Sequence, residues 1–179
     1  MKLIKKNINY FFVLLLIFST TDVFAHGPSR QKVNQTIDID ASIESVWKIV
    51  SSFKNFKWNS DIENIEVASN EIGAERVIKF SNGSKVKQKL EKIDNTKKMV
   101  SWRIIETDNQ KLPVNSYAAK IILKSVDSNK TKVTYKAGFY RGFMGNDPPE
   151  ELNDENSKKK VSEFIKNTLT GLKTIVEKN

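Results

Sequence analysis

The chain contains 179 residues, of which 39% are hydrophobic and 28% are charged, and it carries a net charge of +9. This length supports one domain with a substantial core but not two comfortable ones. The chain has no cysteine and a single histidine near its N-terminus, which excludes a disulfide framework, a thiolate nucleophile and a Ser-His-Asp catalytic arrangement.

The first 25 residues have the pattern of a secretory signal peptide. Three lysines precede an apolar run over residues 10–18, and Val23-Phe-Ala25 then offers a small residue at a plausible cleavage point. The run is short for a membrane span, and an uncleaved anchor is the alternative. Cleavage would leave a domain of residues 26–179 with a net charge of +7, so we predict a basic periplasmic protein without a stable membrane anchor.

A strand and a short helix are predicted at the start of the mature domain. Val33, Ile37 and Ile39 recur at even spacing among polar residues, which is typical of a β-strand. Ser42 is then a good N-cap for a helix. The apolar face of this helix would be formed by Ile43, Val46, Trp47 and Val50. The aromatic-rich residues 53–58 that follow indicate a second small helix or a turn.

Six further strands are predicted from runs of alternating or β-branched residues between polar turns. Their ranges are 62–69, 75–80, 85–93, 99–107, 116–126 and 132–140. Asn82-Gly83 is the strongest hairpin signal in the chain. The inward side of one strand would be formed by Tyr117, Ala119, Ile121 and Leu123. Lys120 and Lys124 would then face water, as in a sheet that is covered on one side only.

Residues 157–178 predict a long amphipathic helix. The apolar stripe recurs every three or four residues and consists of Val161, Phe164, Ile165, Leu169, Leu172 and Val176, with Ile175 at its edge. At about 1.5 Å per residue the helix would be about 33 Å long. A coiled-coil tail is the alternative, but the stripe is short for that structure. We therefore predict an α+β fold in which a curved antiparallel sheet wraps around this helix.

The order of these elements resembles the START/SRPBCC superfamily, whose helix-grip fold is shared by the polyketide cyclase-like proteins. The segment from Ile39 to Val50, followed by Phe56-Lys-Trp58, is similar to the usual opening of that superfamily. The resemblance covers nearly the whole mature chain and implies the fold. Members bind lipids, hormones or polyketides, or serve as protein partners, so the fold alone does not determine function.

Five segments resemble the MxaD family more narrowly. They are His26-Gly-Pro, Gln31-Lys-Val33, Leu112-Pro-Val-Asn-Ser-Tyr117, Phe139-Tyr-Arg-Gly142 and Gly145-Asn-Asp-Pro-Pro-Glu-Glu-Leu-Asn-Asp154. MxaD proteins are periplasmic accessory proteins encoded with methanol dehydrogenase in methylotrophic bacteria. The resemblance implies a noncatalytic role that promotes interaction or electron transfer between methanol dehydrogenase and its cytochrome c acceptor. It implies no cofactor in this chain, because PQQ, calcium and haem would belong to the partners.

The loop over residues 138–152 is the candidate partner-binding segment. The residues expected to contact a partner are Tyr140, Arg141, Phe143, Met144 and Asp147. Tyrosine, methionine and arginine are enriched at interfaces, and the neighbouring glycines permit unusual backbone turns. The alternative is a structured connection that only leads into the C-terminal helix.

The remaining candidates concern charge, ligands and catalysis. The lysines are spread along strands rather than clustered with aromatic residues, so we expect acidic protein partners and no nucleic acid. Trp47, Trp102 and Tyr117 could line a cavity for a small apolar ligand, although such residues more often form core. A carrier is therefore the second hypothesis. An enzyme is the least expected, since the carboxylates fall mostly at turns, and His26 lacks the further ligands that a metal site needs.

Overall fold

The computed structural model describes residues 27–178 of the chain. The predicted signal peptide and His26 lie outside the described residues. The strands are β1 (Gln31–Ile39), β2 (Ile62–Val67), β3 (Glu75–Phe80), β4 (Lys85–Asp94), β5 (Met99–Thr107), β6 (Val114–Asp127) and β7 (Lys130–Arg141). The helices are α1 (Ile43–Val50) and α2 (Asp154–Glu177), and a short 3₁₀ turn spans Glu150–Leu152.

The seven strands form one antiparallel sheet in the order β1-β7-β6-β5-β4-β3-β2. The sheet is curved and holds α2 against one face, so the predicted α+β helix-grip arrangement is confirmed. Irregularities in the register between β2 and β3, β4 and β5, and β6 and β7 increase the local twist and help the sheet to curve. The first strand is paired along its length with the last, from Gln31 opposite Phe139 to Ile39 opposite Thr131.

The predicted stripe of α2 is buried along its whole length. All six of its large apolar residues belong to the core, and Ile175 lies at the edge as expected. Burying one such side chain contributes about 1.5–3 kcal/mol. The helix begins three residues earlier than predicted, because the side chain of Asn153 accepts a hydrogen bond from the Asn156 backbone N–H at 2.8 Å. The prediction followed the apolar stripe alone and overlooked this cap.

Two other predictions concern the segment after β1. Helix α1 begins after Ser42, whose hydroxyl accepts a hydrogen bond from the Ser45 N–H, and it buries Val46, Trp47 and Val50. Residues 53–58 form turns and no helix. Their aromatic side chains are nevertheless buried between the sheet and α2, so this segment completes the core.

Helix α2 lies in direct contact with the backbone of that aromatic segment. A Cβ atom added at Gly171 would stand 1.6 Å from the carbonyl oxygen of Trp58. Beside this contact, the Asn59 side-chain amide donates to the Phe164 carbonyl at 3.2 Å and to the Thr168 hydroxyl at 3.1 Å. The glycine is therefore required by packing, since no other residue permits the two backbones to approach so closely.

None of the helices within residues 27–178 combines the length and the apolar character that a membrane crossing requires.

Candidate functional site

The loop between β7 and α2 is held in place by Arg141, which is only 6% exposed. Its guanidinium donates to the carbonyls of Phe143 at 2.8 Å and Gly145 at 2.7 Å, and it forms an ion pair with the Asp154 carboxylate at 3.0 Å. Arg141 lies in the predicted segment, but its charge is directed into the protein. Its structural role is to fix the shape of the loop against the first turn of α2.

The tip of the same loop is open to solvent. Phe143 is 39% exposed and Met144 is 48% exposed, which makes them two of the few large apolar side chains on the described surface. Asp147 is also exposed. Tyr140 is half-buried, and the guanidinium of Arg30 lies over its ring at 5.6 Å from the centroid. Four of the five predicted contact residues are thus accessible, and we refer to Phe143 and Met144 as the apolar tip.

A cationic surface lies beside this loop on the outward side of the sheet. It consists of Arg30, Lys32, Lys120, Lys124, Lys132 and Lys136, which we call the basic face. Lys120 stands directly opposite Lys136 in the ladder, and Lys124 stands directly opposite Lys132. Like charges in such positions destabilise a sheet. Part of the basic face surrounds a surface depression of about 450 Å³, whose rim also carries Glu91; that carboxylate pairs with Arg103 at 3.3 Å.

The interior contains a second unusual group, the guanidinium of Arg76 on β3. It is 2% exposed and donates twice to the Gln88 side-chain oxygen, at 2.9 and 2.6 Å, and once to the Phe53 carbonyl at 3.0 Å. The rings of Phe53 and Phe56 lie 4.0 and 4.1 Å from its central carbon, and that of Trp102 lies 5.4 Å away. Burial lowers the pKa of Arg76 to about 9, so the group remains charged at neutral pH. None of these partners is an anion.

Two tyrosines lie near this cation without supplying a negative charge. The hydroxyls of Tyr117 and Tyr135 are 3.0 Å apart and share a hydrogen bond. Burial raises the pKa of both phenols above the ordinary value, so both remain neutral around pH 7. The side-chain N–H groups of Gln88 and Trp102 are buried and have no hydrogen-bond partner among the described residues.

The three predicted cavity residues are buried but do not form one group. Trp102 contacts the ring of Tyr135 at 5.5 Å, and Tyr135 in turn bonds to Tyr117. Trp47 lies on α1 instead, where its indole donates to Asn95 at 3.0 Å. The structure therefore brings Trp102 and Tyr117 together through Tyr135, and it leaves Trp47 apart.

Sequence reasoning missed Arg76 and Gln88. A signal was present, because Arg76 is in phase with the inward residues Ile78 and Phe80 of its strand, and Gln88 lies between the inward residues Val86 and Leu90. A polar residue in the inward register has to be satisfied inside the protein. Within residues 27–178, no group of three or more His, Cys, Asp or Glu side chains is arranged to hold a metal ion.

Comparisons with known proteins agree with this architecture. A family model described as "Polyketide cyclase / dehydrase and lipid transport" matches residues 30–177. No curated protein gives a significant sequence match.

Several solved structures share the fold. The chain is similar to the protein XoxI from Bacillus cereus, with 19% identity, a TM-score of 0.68, and coverage of 81% of this chain and 94% of that one. It is similar to the ZhuI aromatase/cyclase from Streptomyces sp. R1128, with 14% identity, a TM-score of 0.67 and coverage of 83% and 94%. It is also similar to norcoclaurine synthase from Thalictrum flavum, solved with dopamine and hydroxybenzaldehyde, with 13% identity, a TM-score of 0.65 and coverage of 90% and 95%. At these identities the structures establish a common fold and not a common activity.

Proposed function

We propose that the chain, which belongs to the polyketide cyclase/dehydrase and lipid transport family, is a docking protein. Its fold is also found in enzymes, but in this proposal it is not itself an enzyme. In this role it is a periplasmic accessory protein of methanol oxidation that binds methanol dehydrogenase, its cytochrome c acceptor, or both. The resemblance to the MxaD family motivates the choice of partners.

The observation that carries this proposal is the pairing of lysines across the outward side of β6 and β7. Lys120 opposite Lys136 and Lys124 opposite Lys132 each oppose folding by about 0.2–1 kcal/mol. None of these four lysines forms an ion pair within the described part of the chain. Asp38 of β1 stands opposite Lys132 in the neighbouring ladder, whereas Asn34 stands opposite Lys136, so the repulsion is least compensated between Lys120 and Lys136. An acidic partner surface would turn this repulsion into attraction and would accelerate encounter at low ionic strength.

The loop extends this surface with apolar area. Arg30 connects the two regions, because its guanidinium donates to the Gly138 carbonyl at 3.3 Å and also covers the ring of Tyr140. The apolar tip would supply the desolvated contacts that usually carry most of the binding energy, while the lysines set orientation and rate. Arg141 contributes by holding the tip in a fixed shape.

The proposal is tested by measuring binding of the mature protein to purified methanol dehydrogenase and, separately, to its cytochrome. The variant is Lys120→Gln/Lys136→Gln, and the matched control is Lys159→Gln/Lys166→Gln on the exposed side of α2. Both variants lose the same charge. We expect the first to bind about tenfold more weakly at low salt while becoming about 0.2–1 kcal/mol more stable. We expect the second to change binding much less.

Two results would contradict the docking proposal. Equal weakening in both variants would mean that net charge alone matters and that the basic face is not the contact surface. Absence of binding to either protein at low ionic strength, together with unchanged reduction of the cytochrome by methanol dehydrogenase, would exclude the proposed partners.

The second candidate is a carrier for a small apolar ligand. It is favoured by the buried aromatic side chains of the interior, where the ring of Trp102 lies 5.7 Å from that of Phe56 and 5.5 Å from that of Tyr135. Norcoclaurine synthase, which is similar in fold, was solved with two small aromatic molecules. Mass spectrometry of compounds released from the denatured protein separates this function from docking.

A further inference from the structure

The side chain of Arg30 extends across the outer surface of the sheet, beside the depression in the basic face. Arg30 precedes β1, and its guanidinium reaches β7, where it donates to the Gly138 carbonyl at 3.3 Å and covers the ring of Tyr140. This position depends on the glycine, because a Cβ atom added at Gly138 would stand 3.0 Å from Nη2 of Arg30 and 3.3 Å from its Nε. A branched side chain at position 138 would therefore displace the guanidinium.

The guanidinium of Arg30 is exposed, and most of its donors are unused. A guanidinium has five N–H groups, and the Gly138 carbonyl is the acceptor that Arg30 finds among residues 27–178. No carboxylate in that part of the chain forms an ion pair with it. Contact with the ring of Tyr140 at 5.6 Å from its centroid also limits the movement of the side chain. Arg30 is thus a positioned cation with donors left for an acceptor from outside the domain.

The floor of the depression beside Arg30 is made of small residues. Ala118 of β6 stands directly opposite Gly138 of β7, and both line the depression of about 450 Å³. The basic residues of its lining are Arg30, Lys32, Lys120 and Lys136. Because alanine and glycine leave space above the strands, a side chain from another molecule can approach the sheet between these four cations.

Glu91 is the one acidic residue of this lining, and it does not neutralise the four cations. Its carboxylate lies 3.3 Å from Nη1 of Arg103, so its charge is already engaged elsewhere. The lining holds four basic residues and one acidic residue. The group that best complements such a recess is an anion that can accept several hydrogen bonds.

We propose that Arg30 is the residue by which the basic face recognises a carboxylate side chain of its acidic partner, in a two-point contact at the floor of this depression. The planar fork of an arginine matches a carboxylate in such a contact, whereas a lysine is a point charge. Lys120 and Lys136 lie two residues further along their strands than Ala118 and Gly138, a step of about 6.8 Å. A second carboxylate of the same partner segment would meet them there.

The occupant is therefore a projecting acidic segment with at least two carboxylates. This inference rests on the docking proposal for the source of that segment, but the site can be tested without the partner. The probe is N-acetylated, C-amidated tetra-aspartate, and tetra-asparagine with the same ends is the uncharged control. Each peptide is titrated into the isotope-labelled mature protein at low ionic strength, and binding is followed by the amide shifts in NMR spectra.

Two variants separate the geometry of Arg30 from its charge. Gly138→Val removes no charge but fills the place of the guanidinium, and Arg30→Lys keeps the charge but loses the planar fork. Gly27→Val is the matched control, because a Cβ atom at Gly27 would meet nothing within 4 Å. Arg30 is exposed, so Arg30→Lys remains informative even if Gly138→Val fails to fold.

We expect tetra-aspartate to shift the amides of Ala118 and Gly138 saturably and tetra-asparagine to leave them unchanged. Gly138→Val and Arg30→Lys should each bind tetra-aspartate at least threefold more weakly than the parent, and Gly27→Val should bind it equally well. The same order should hold for binding to whichever of methanol dehydrogenase and the cytochrome the parent binds.

Three results would overturn the inference. Equal peptide binding by the parent, Gly138→Val and Arg30→Lys would mean that the lysines attract acidic groups without a specific site, and docking at the basic face would survive. Absence of saturable shifts in the parent would exclude the depression as a site. Inorganic phosphate that shifts the same amides at lower concentrations than the peptide would assign the site to a phosphate group instead. By contrast, the expected losses in peptide binding without binding to either proposed partner would support the site and contradict only the choice of partners.

Discussion

Replacing Gly171 by alanine should destabilise the domain, although alanine is the better helix former. In a helix interior the exchange favours folding by about 1 kcal/mol. Here the new methyl group would stand 1.6 Å from the carbonyl oxygen of Trp58, and neither backbone is a flexible group that can turn away. Either α2 or the aromatic segment over residues 53–58 has to move by roughly 2 Å to restore ordinary contact.

That movement determines the size of the effect. Forcing an extra methyl group into a packed core costs about 1–3 kcal/mol. It would also strain the two hydrogen bonds that Asn59 donates to α2, each contributing about 1 kcal/mol. If both hydrogen bonds are lost, subtraction of the gain in helix propensity leaves an expected net loss of about 2–4 kcal/mol in the free energy of unfolding.

The assay is urea denaturation at pH 7, followed by tryptophan fluorescence. Thr170→Ala is the control, because this neighbouring residue on the same helix is exposed and alanine there should be neutral or stabilising by less than about 1 kcal/mol. The sign of the change in the free energy of unfolding of Gly171→Ala distinguishes close backbone packing from helix propensity alone. A variant about 1 kcal/mol more stable than the parent, as helix propensity alone predicts, would refute the close approach of α2 to Trp58.

Three further substitutions test other parts of the structure. Leu169→Ala should lower the free energy of unfolding by about 2–5 kcal/mol through a core cavity, and an unchanged urea midpoint would show that the stripe is not buried. Arg141→Gln should destabilise the domain by about 1–3 kcal/mol, because Asp154 keeps a partly buried charge without its partner. Limited proteolysis should also cut the loop over residues 138–152 faster in this variant than in the parent. Equal rates of cleavage would contradict the role of Arg141 in positioning the loop. Burial raises the pKa of Tyr117 and Tyr135. Above about pH 10 the unfolded chain therefore releases protons that the native state still holds. The free energy of unfolding consequently falls as the pH rises further. Tyr117→Phe should make this fall shallower in urea midpoints measured from pH 7 to 11; a curve parallel to that of the parent would refute the assignment.

Much of this fold could be predicted from the spacing of apolar residues along the chain. The spacing of Val161, Phe164 and Leu169 identified the buried face of α2, and strands β3 and β5 were predicted with the bounds observed. The pairing of β1 with β7 was not predicted, since it depends on contacts between the two ends of the domain. The requirement for glycine at position 171 could not be predicted from local sequence patterns either, because the backbone that Gly171 approaches, at Trp58, lies in another segment.

The candidate sites were predicted less well than the fold. Exposure of Phe143 and Met144 agrees with a surface loop, but the orientation of Arg141 depends on Asp154 and on two carbonyls whose positions are set by tertiary structure. Arg76 was missed because strand prediction attended to apolar residues and treated charged ones as outward. The basic face was visible as scattered lysines, while its cross-strand pairs emerged only with the register.

The pairing of the first strand with the last also bears on how this chain is made. Residues 31–39 find their partners only after residues 131–139 have been synthesised, and α2, which Gln35 contacts through Ser162, follows later still. Contacts so distant in sequence form slowly. The nascent polypeptide consequently has no complete core while it is being translated, which suits a protein that is predicted to pass through a narrow export channel before it folds.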